Sequence, residues 1–212
     1  MDVEIWSDVV CPWCYVGKRR FEEALARFEH KEAVVVHFRS FELDPHAPRV
    51  REGNHEEQLA SKYGMSIEAA RASHRRLADL ASEHGVTMRF DQVRSGNTFD
   101  AHRLLHLAAE HGVQGQLKER LMSAYFTEGR AIGDTDTLAA LAVETGLAED
   151  LVREVLGGGA YADDVRADEA LARDYGVTGV PFFVVAGKYA VAGAQRSDVL
   201  LDALEQAWSE ID

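Results

Sequence analysis

The sequence predicts an α/β fold ordered βαβ, a long all-helical insertion, then ββα, and three patterns predict it. Near the N-terminus, residues 3–6 (Val-Glu-Ile-Trp) alternate like a short strand. Phe21, Leu25 and Phe28 then recur at helical spacing among Lys18, Arg19, Arg20, Glu22 and Glu23, and the β-branched and aromatic run AVVVHFRSFEL (33–43) follows, closed by the turn-formers of DPHAP. Residues 1–43 thus read as two parallel strands joined by a crossover helix. Near the C-terminus, TGVPFFVVAGKYAVAGAQ (178–195) holds two β-like runs around Ala186-Gly187-Lys188, a hairpin signal, and RSDVLLDALEQAW reads as a capped amphipathic helix.

Between these ends, from about 50 to 175, every segment has helical spacing: EEQLASKYG, SIEAARASHRRLADLASEHG, FDAHRLLHLAAEHG, GQLKERLMSAYFTEG, DTDTLAALAVETG, AEDLVREVLG and ADDVRADEALARDYG. Many close on glycine, which suits a left-handed C-terminal cap, and DTDTLAALA opens on N-cap residues. No fixed repeat period appears, so a subdomain is expected rather than a solenoid. The two β pieces are too small to stand alone. They should complete one sheet, so that residues 1–49 and 176–212 make one domain and 50–175 an inserted helical domain.

Composition narrows the function. With 46% hydrophobic and 28% charged residues and four prolines in 212 residues, the chain can bury a real core. The net charge of −13 opposes a phosphate backbone, so nucleic acid is not an expected partner. The N-terminus MDVEIWSDVV lacks a basic and apolar leader, and no uncharged apolar run reaches the roughly 18 residues that span a bilayer. A cytoplasmic protein without a membrane partner is expected. In a reducing compartment, two cysteines three positions apart are more often redox-active or metal-binding than structural.

Those two cysteines, Cys11 and Cys14 in SDVVCPWCYVGKRRFEEAL, admit three readings. Zinc needs four ligands, and only His102 and His106, at i and i+4, suggest the other two; nine histidines make such a pair unsurprising, and no metal is expected. A structural disulfide across so short a loop removes little unfolded-state entropy. A redox pair uses the spacing directly, because on a first helical turn the two Cα atoms stand roughly 5–5.5 Å apart, inside the disulfide range. Cys11 at the helix N-terminus gains from unpaired N–H groups and the macrodipole, which favour its thiolate. Cys14, one turn further in, is expected to be more buried and to act as the resolving thiol. Pro12 suits the first turn, and Trp13 offers an aromatic surface for packing or for substrate.

A proline at a strand start cannot donate to a ladder, so Pro181 in TGVPFF reads either as an edge-strand proline or as a cis Val180-Pro181 bond beside the cysteines. The second reading leaves backbone groups near Val180 free to pair with an extended peptide or thiol ligand.

Cys-Pro-Trp-Cys after a first strand, a helical insertion, and Gly179-Val180-Pro181 before a hairpin and helix resemble the DsbA-like branch of the thioredoxin superfamily. Within it, FELDP, SGNTFDAHRLLHLA, AYFTEGRAIGDTDTLAALA and GVTGVPFFVV are similar to the FrnE family of dithiol-disulfide isomerases or oxidoreductases associated with polyketide biosynthesis. The resemblance implies a thioredoxin fold, with Cys11 as nucleophile, Cys14 as resolving thiol and Pro181 as the cis-proline facing them. It also implies a ligand groove to which Asn97, His102 and Arg103 contribute, although an Asn at that point is equally a helix N-cap. Thioredoxin-like enzymes often carry a buried acid six residues before the first cysteine. Here that position is Ile5, with Glu4 and Asp8 to either side. Related kappa-class glutathione transferases and 2-hydroxychromene-2-carboxylate isomerases have a serine in place of the first cysteine, whereas both positions here are Cys.

The expectation is a thiol-disulfide oxidoreductase or isomerase acting on protein or small-molecule disulfides, with no cofactor required and glutathione open as a co-substrate. A glutathione-dependent isomerase or transferase acting on a small aromatic molecule is the alternative. Apolar helix faces suit either a core or a homodimer.

Overall fold

The computed structural model describes residues 1–51 and 53–211. Its chain begins with strand β1 (Asp2–Ser7), helix α1 (Pro12–Arg27) and strand β2 (Val35–Ser40), and ends with strands β3 (Phe182–Val185) and β4 (Tyr189–Ala192) and helix α9 (Ser197–Trp208). The β pieces complete one sheet of order β2-β1-β3-β4, in which β1 runs parallel to β2 and antiparallel to β3. Val3 stands opposite Val36 and Ile5 opposite Phe183.

Strand periodicity sorts the side chains onto two faces. Val3, Ile5, Phe183 and Val185 pack with Phe21 and Ala24 of α1, with Phe28 just beyond its end, and with Leu200, Leu201 and Leu204 of α9. Trp6 and Val184 face the other way, toward Ala172 and Val177, and the Trp6 indole N–H donates to the Asp168 carbonyl at 2.9 Å.

Between β2 and β3 run helices α2 (His55–Tyr63), α3 (Ile67–Glu83), α4 (Phe99–Glu110), α5 (Gln114–Phe126), α6 (Thr135–Glu144), α7 (Glu149–Gly157) and α8 (Ala162–Asp174). Asp134 caps α6 by accepting the Thr137 N–H at 2.9 Å, and Gly64 ends α2 with φ 63°, where a side chain would be strained. Their apolar faces form a cluster that also takes in Val9, Cys11, Cys14, Tyr15 and Val16, so the cysteines sit in the seam between sheet and helices. Glu119 of α5 pins that seam. It accepts from Tyr15 Oη at 2.6 Å and Lys18 Nζ at 2.7 Å, and pairs with Arg19.

Two local expectations are corrected. The second strand covers Val35–Ser40 rather than 33–43, because Lys31–Ala33 form a 3-10 turn and the chain leaves the sheet after Ser40, so that the Leu43 N–H reaches Asp8 Oδ2 at 2.9 Å. No side chain caps α9: Arg196 occupies the cap position, and Ser197 is the first helical residue.

Candidate active site

Local sequence places Cys11 at the α1 N-terminus. Pro12 has no N–H to lose in the first turn, and Cys11 takes the cap position with extended backbone (φ −86°, ψ 113°). Its sulfur accepts the Cys14 N–H at 3.4 Å and so does the work of a capping side chain. Both cysteines are free thiols, and both are buried. The Cys11 thiol points at the Val180 carbonyl, with 3.7 Å between sulfur and oxygen.

The Val180-Pro181 bond is cis. Because β3 lies inside the sheet, between β1 and β4, the edge-strand reading of Pro181 is ruled out. The Pro181 ring packs on Gly17, one turn beyond the cysteines: a β-carbon on Gly17 would stand 2.7 Å from Pro181 Cγ. Sequence reasoning missed Gly17, whose signal was a glycine inside an otherwise good amphipathic helix.

A cavity of about 590 Å³ opens beside the dithiol. Cys11, Pro12, Trp13 and Val180 line one end, and Leu59, Tyr63, Leu77 and Phe90 supply apolar wall. The Trp13 indole is 47% exposed there, which makes it available to an occupant. Deeper in the wall the His74 ring stacks on Phe90 at 4.2 Å and on His55 at 4.9 Å. Burial pushes both imidazoles down, His55 to about 4 with help from His74, so both are neutral at pH 7. Their Nδ1 atoms have no hydrogen-bond partner among the described residues.

Asn97, His102 and Arg103 do not line this cavity. Asn97 Oδ1 accepts the Phe99 N–H at 2.9 Å, an end-of-helix task at the start of α4. Arg103 is buried and spends its guanidinium on the Ala160, Val155 and Gly158 carbonyls and on Asp100. His102 is fully buried, and its Nε2 lies 3.3 Å from Asp8 Oδ1. His106, one turn on, faces Ser40 and Asp168 instead, so the two histidines do not converge. No group of three or more metal-ligating side chains is placed for an ion among the described residues.

Beneath the dithiol lies a charged layer. Burial of Asp8 would raise its carboxyl, but the His102 hydrogen bond and charge, the Leu43 N–H and Lys118 outweigh it and hold Asp8 below the ordinary value. Lys118 of α5 is wholly buried, and its Nζ donates to the Ser7 carbonyl at 3.0 Å. Burial pulls its amine down to about 8, against an opposing pull from Cys14, Asp8 and Cys11. Cys14 is pushed well up by burial and then by the hydrogen bond and charge of Cys11, while Lys118 and the Asp8 backbone draw it down. Ile5, six residues before Cys11, points into the apolar layer under α1 and α9. Lys118 escaped sequence reasoning because it reads as one of the polar positions of an amphipathic helix.

Among the described residues, no helix is long and apolar enough to cross a membrane. The model of the DSBA-like thioredoxin domain family matches residues 2–205. The uncharacterized protein YwbO of Bacillus subtilis (strain 168) is 30% identical over 206 residues, 95% of this chain and 94% of its own. A probable DsbA oxidoreductase from Streptomyces coelicolor superposes with a TM-score of 0.95 at 48% identity, over 100% of this chain and 92% of that one. The cytosolic disulfide reductase DsbM from Pseudomonas aeruginosa, solved with GSH, shares the fold with a TM-score of 0.68 at 18% identity, over 99% and 100% of the two chains. The chain belongs to the DSBA-like thioredoxin domain family.

Proposed function

We propose that Cys11 and Cys14 cycle between dithiol and disulfide in exchange with substrates that enter the cavity beside Cys11. Family membership supports the redox class, and one observation carries the site: the Cys11 sulfur caps α1 while facing both the Val180 carbonyl and the cavity. In the reducing direction the Cys11 thiolate attacks a substrate disulfide, one substrate sulfur leaves as a thiol, and Cys14 then displaces the other to close Cys11–Cys14. The substrate gains the two electrons that the dithiol loses. The reverse sequence oxidises a dithiol, and the two halves together isomerise a wrong disulfide. Insulin reduction and refolding of a scrambled disulfide protein test this reading. Cys11→Ser abolishes both if it holds, and equal activity in wild type and Cys11→Ser overturns it.

The apolar wall of Leu59, Tyr63, Leu77 and Phe90 supports a second reading, a glutathione-dependent isomerase or transferase for a small aromatic molecule. That reading predicts glutathione binding and turnover that survives Cys14→Ser, and loss of either removes it. No cofactor is needed for the first reading. The setting we propose is cytoplasmic, like that of the cytosolic reductase DsbM, and the FrnE-like motifs suggest polyketide biosynthesis as the context. Deletion of the gene in a producing strain, followed by product analysis, tests that context.

A further inference from the structure

We infer that Lys118, carried in by α5, is the positioning residue that sets the ionisation of Cys14 and thereby the rate at which the mixed disulfide is resolved. This rests on the dithiol reading above and adds the charge that reading lacks.

Lys118 is a poor stabilising device. Its ammonium is completely buried, its one hydrogen bond goes to the neutral Ser7 carbonyl, and no carboxylate lies within ion-pair distance of it among the described residues. Burying an ammonium in this way disfavours folding unless something anionic faces it. The groups that face it are the Phe38 ring of β2, whose centroid lies 5.9 Å from the ammonium, the two sulfurs of α1, the Asp8 carboxylate of the β1–α1 loop, and Lys18 of α1, which opposes its charge. Asp8 is committed to His102 of α4 and to the Leu43 N–H, and Lys18 to Glu22 and to Glu119, the neighbour of Lys118 on α5. In the mixed disulfide the Cys11 sulfur carries no charge, so Cys14, once ionised, is the anion left for Lys118.

Backbone geometry connects the two. Lys118 holds the oxygen of the Ser7–Asp8 peptide, and the N–H side of that peptide belongs to Asp8, whose backbone acts on Cys14. An ammonium on the carbonyl oxygen polarises this peptide, whose Asp8 side favours the charged form of Cys14. The clamp of Glu119 on Tyr15, Lys18 and Arg19 keeps α5 against α1 while this occurs.

In the step concerned, Cys14 gives its proton to solvent and its thiolate attacks Cys11 Sγ. The Cys11–substrate S–S bond breaks, and the substrate thiolate leaves with the electron pair and takes a proton from solvent. Lys118 lowers the cost of the first event. An opposite charge nearby moves a thiol by about one to three pKa units, so its removal should slow resolution roughly tenfold or more at neutral pH.

Ellman's disulfide separates the events, because Cys11 releases one thionitrobenzoate on forming the mixed disulfide and Cys14 releases the second on resolving it. In Lys118→Met we expect the second phase to slow about tenfold or more and its pH profile to move upward, with a much smaller change in the first phase. Lys118→Gln, which keeps a donor for the Ser7 carbonyl without the charge, should behave like Met and guards against a variant that does not fold. In a Cys11→Ser background, the ultraviolet thiolate absorbance of Cys14 should titrate at higher pH when Lys118 is also replaced. Wild-type pH profiles in both Lys118 variants overturn the assignment. A wild type that gives no second phase overturns the dithiol reading itself.

Discussion

The Pro181 ring and the α1 backbone at Gly17 meet so closely that a β-carbon at Gly17 would lie 2.7 Å from Pro181 Cγ. The Val180 carbonyl, one residue before Pro181, faces the Cys11 sulfur at 3.7 Å, so the same segment touches α1 at Gly17 and at its N-terminus. Ring carbons cannot swing aside as the tip of a flexible side chain does. Gly17→Val should therefore cost about 1–3 kcal/mol through overpacking, read by urea unfolding, and should also alter the rate of Cys11 with Ellman's disulfide. Unchanged stability and rate would show that the seam yields.

Asp8 makes stability depend on acid. Its carboxyl is held below the ordinary value, so the folded state binds fewer protons than the unfolded chain in the acid range. The stability it supplies is complete above the unfolded value of about 3.9 and is lost as pH falls through the folded value. Asp8→Asn should destabilise by roughly 1.5–3 kcal/mol at neutral pH, and the gap from wild type should close as the pH is lowered below about 4. Urea melts at several pH values check both the size and the convergence.

Lys118 works in the opposite sense. Its amine stands at about 8 in the fold against 10.5 ordinarily, so between those values the unfolded chain keeps a proton that the folded state has lost. The penalty is complete below pH 8 and shrinks as pH rises toward 10.5. Lys118→Met should leave the protein as stable at neutral pH or roughly 1–4 kcal/mol more stable, with the difference narrowing in alkali. A variant that is less stable at neutral pH would contradict this.

The outline of the fold was legible because it rests on periodicity and punctuation. Helical spacing and cap residues mark the insertion, and the two β pieces are too short to stand apart. The dithiol was legible because one motif carries both its spacing and its helix-end position. What escaped are relations between distant segments. Gly17 matters through Pro181, and Lys118 through a carbonyl on β1, the Phe38 ring on β2 and the sulfur of Cys14. A lysine on an amphipathic helix is normally solvated, and nothing local marks one that is buried. Arg103 and His102 belong to a motif whose resemblance implies a ligand groove, yet they hold the α7–α8 connection and Asp8 in place and do not line the cavity. The second strand was read too long because Phe41 and Leu43 have strand-like side chains, while the Leu43 N–H is needed by Asp8.

The account stands on Cys11 and Cys14 acting as one two-electron couple. Equilibrating the protein across a series of reduced and oxidised glutathione mixtures, quenching with acid and weighing it intact tests this most directly. We predict a single transition in which the whole population loses two hydrogens, with Cys11→Ser showing none. Thiols that stay reduced throughout, or that only collect separate glutathione adducts, would contradict it.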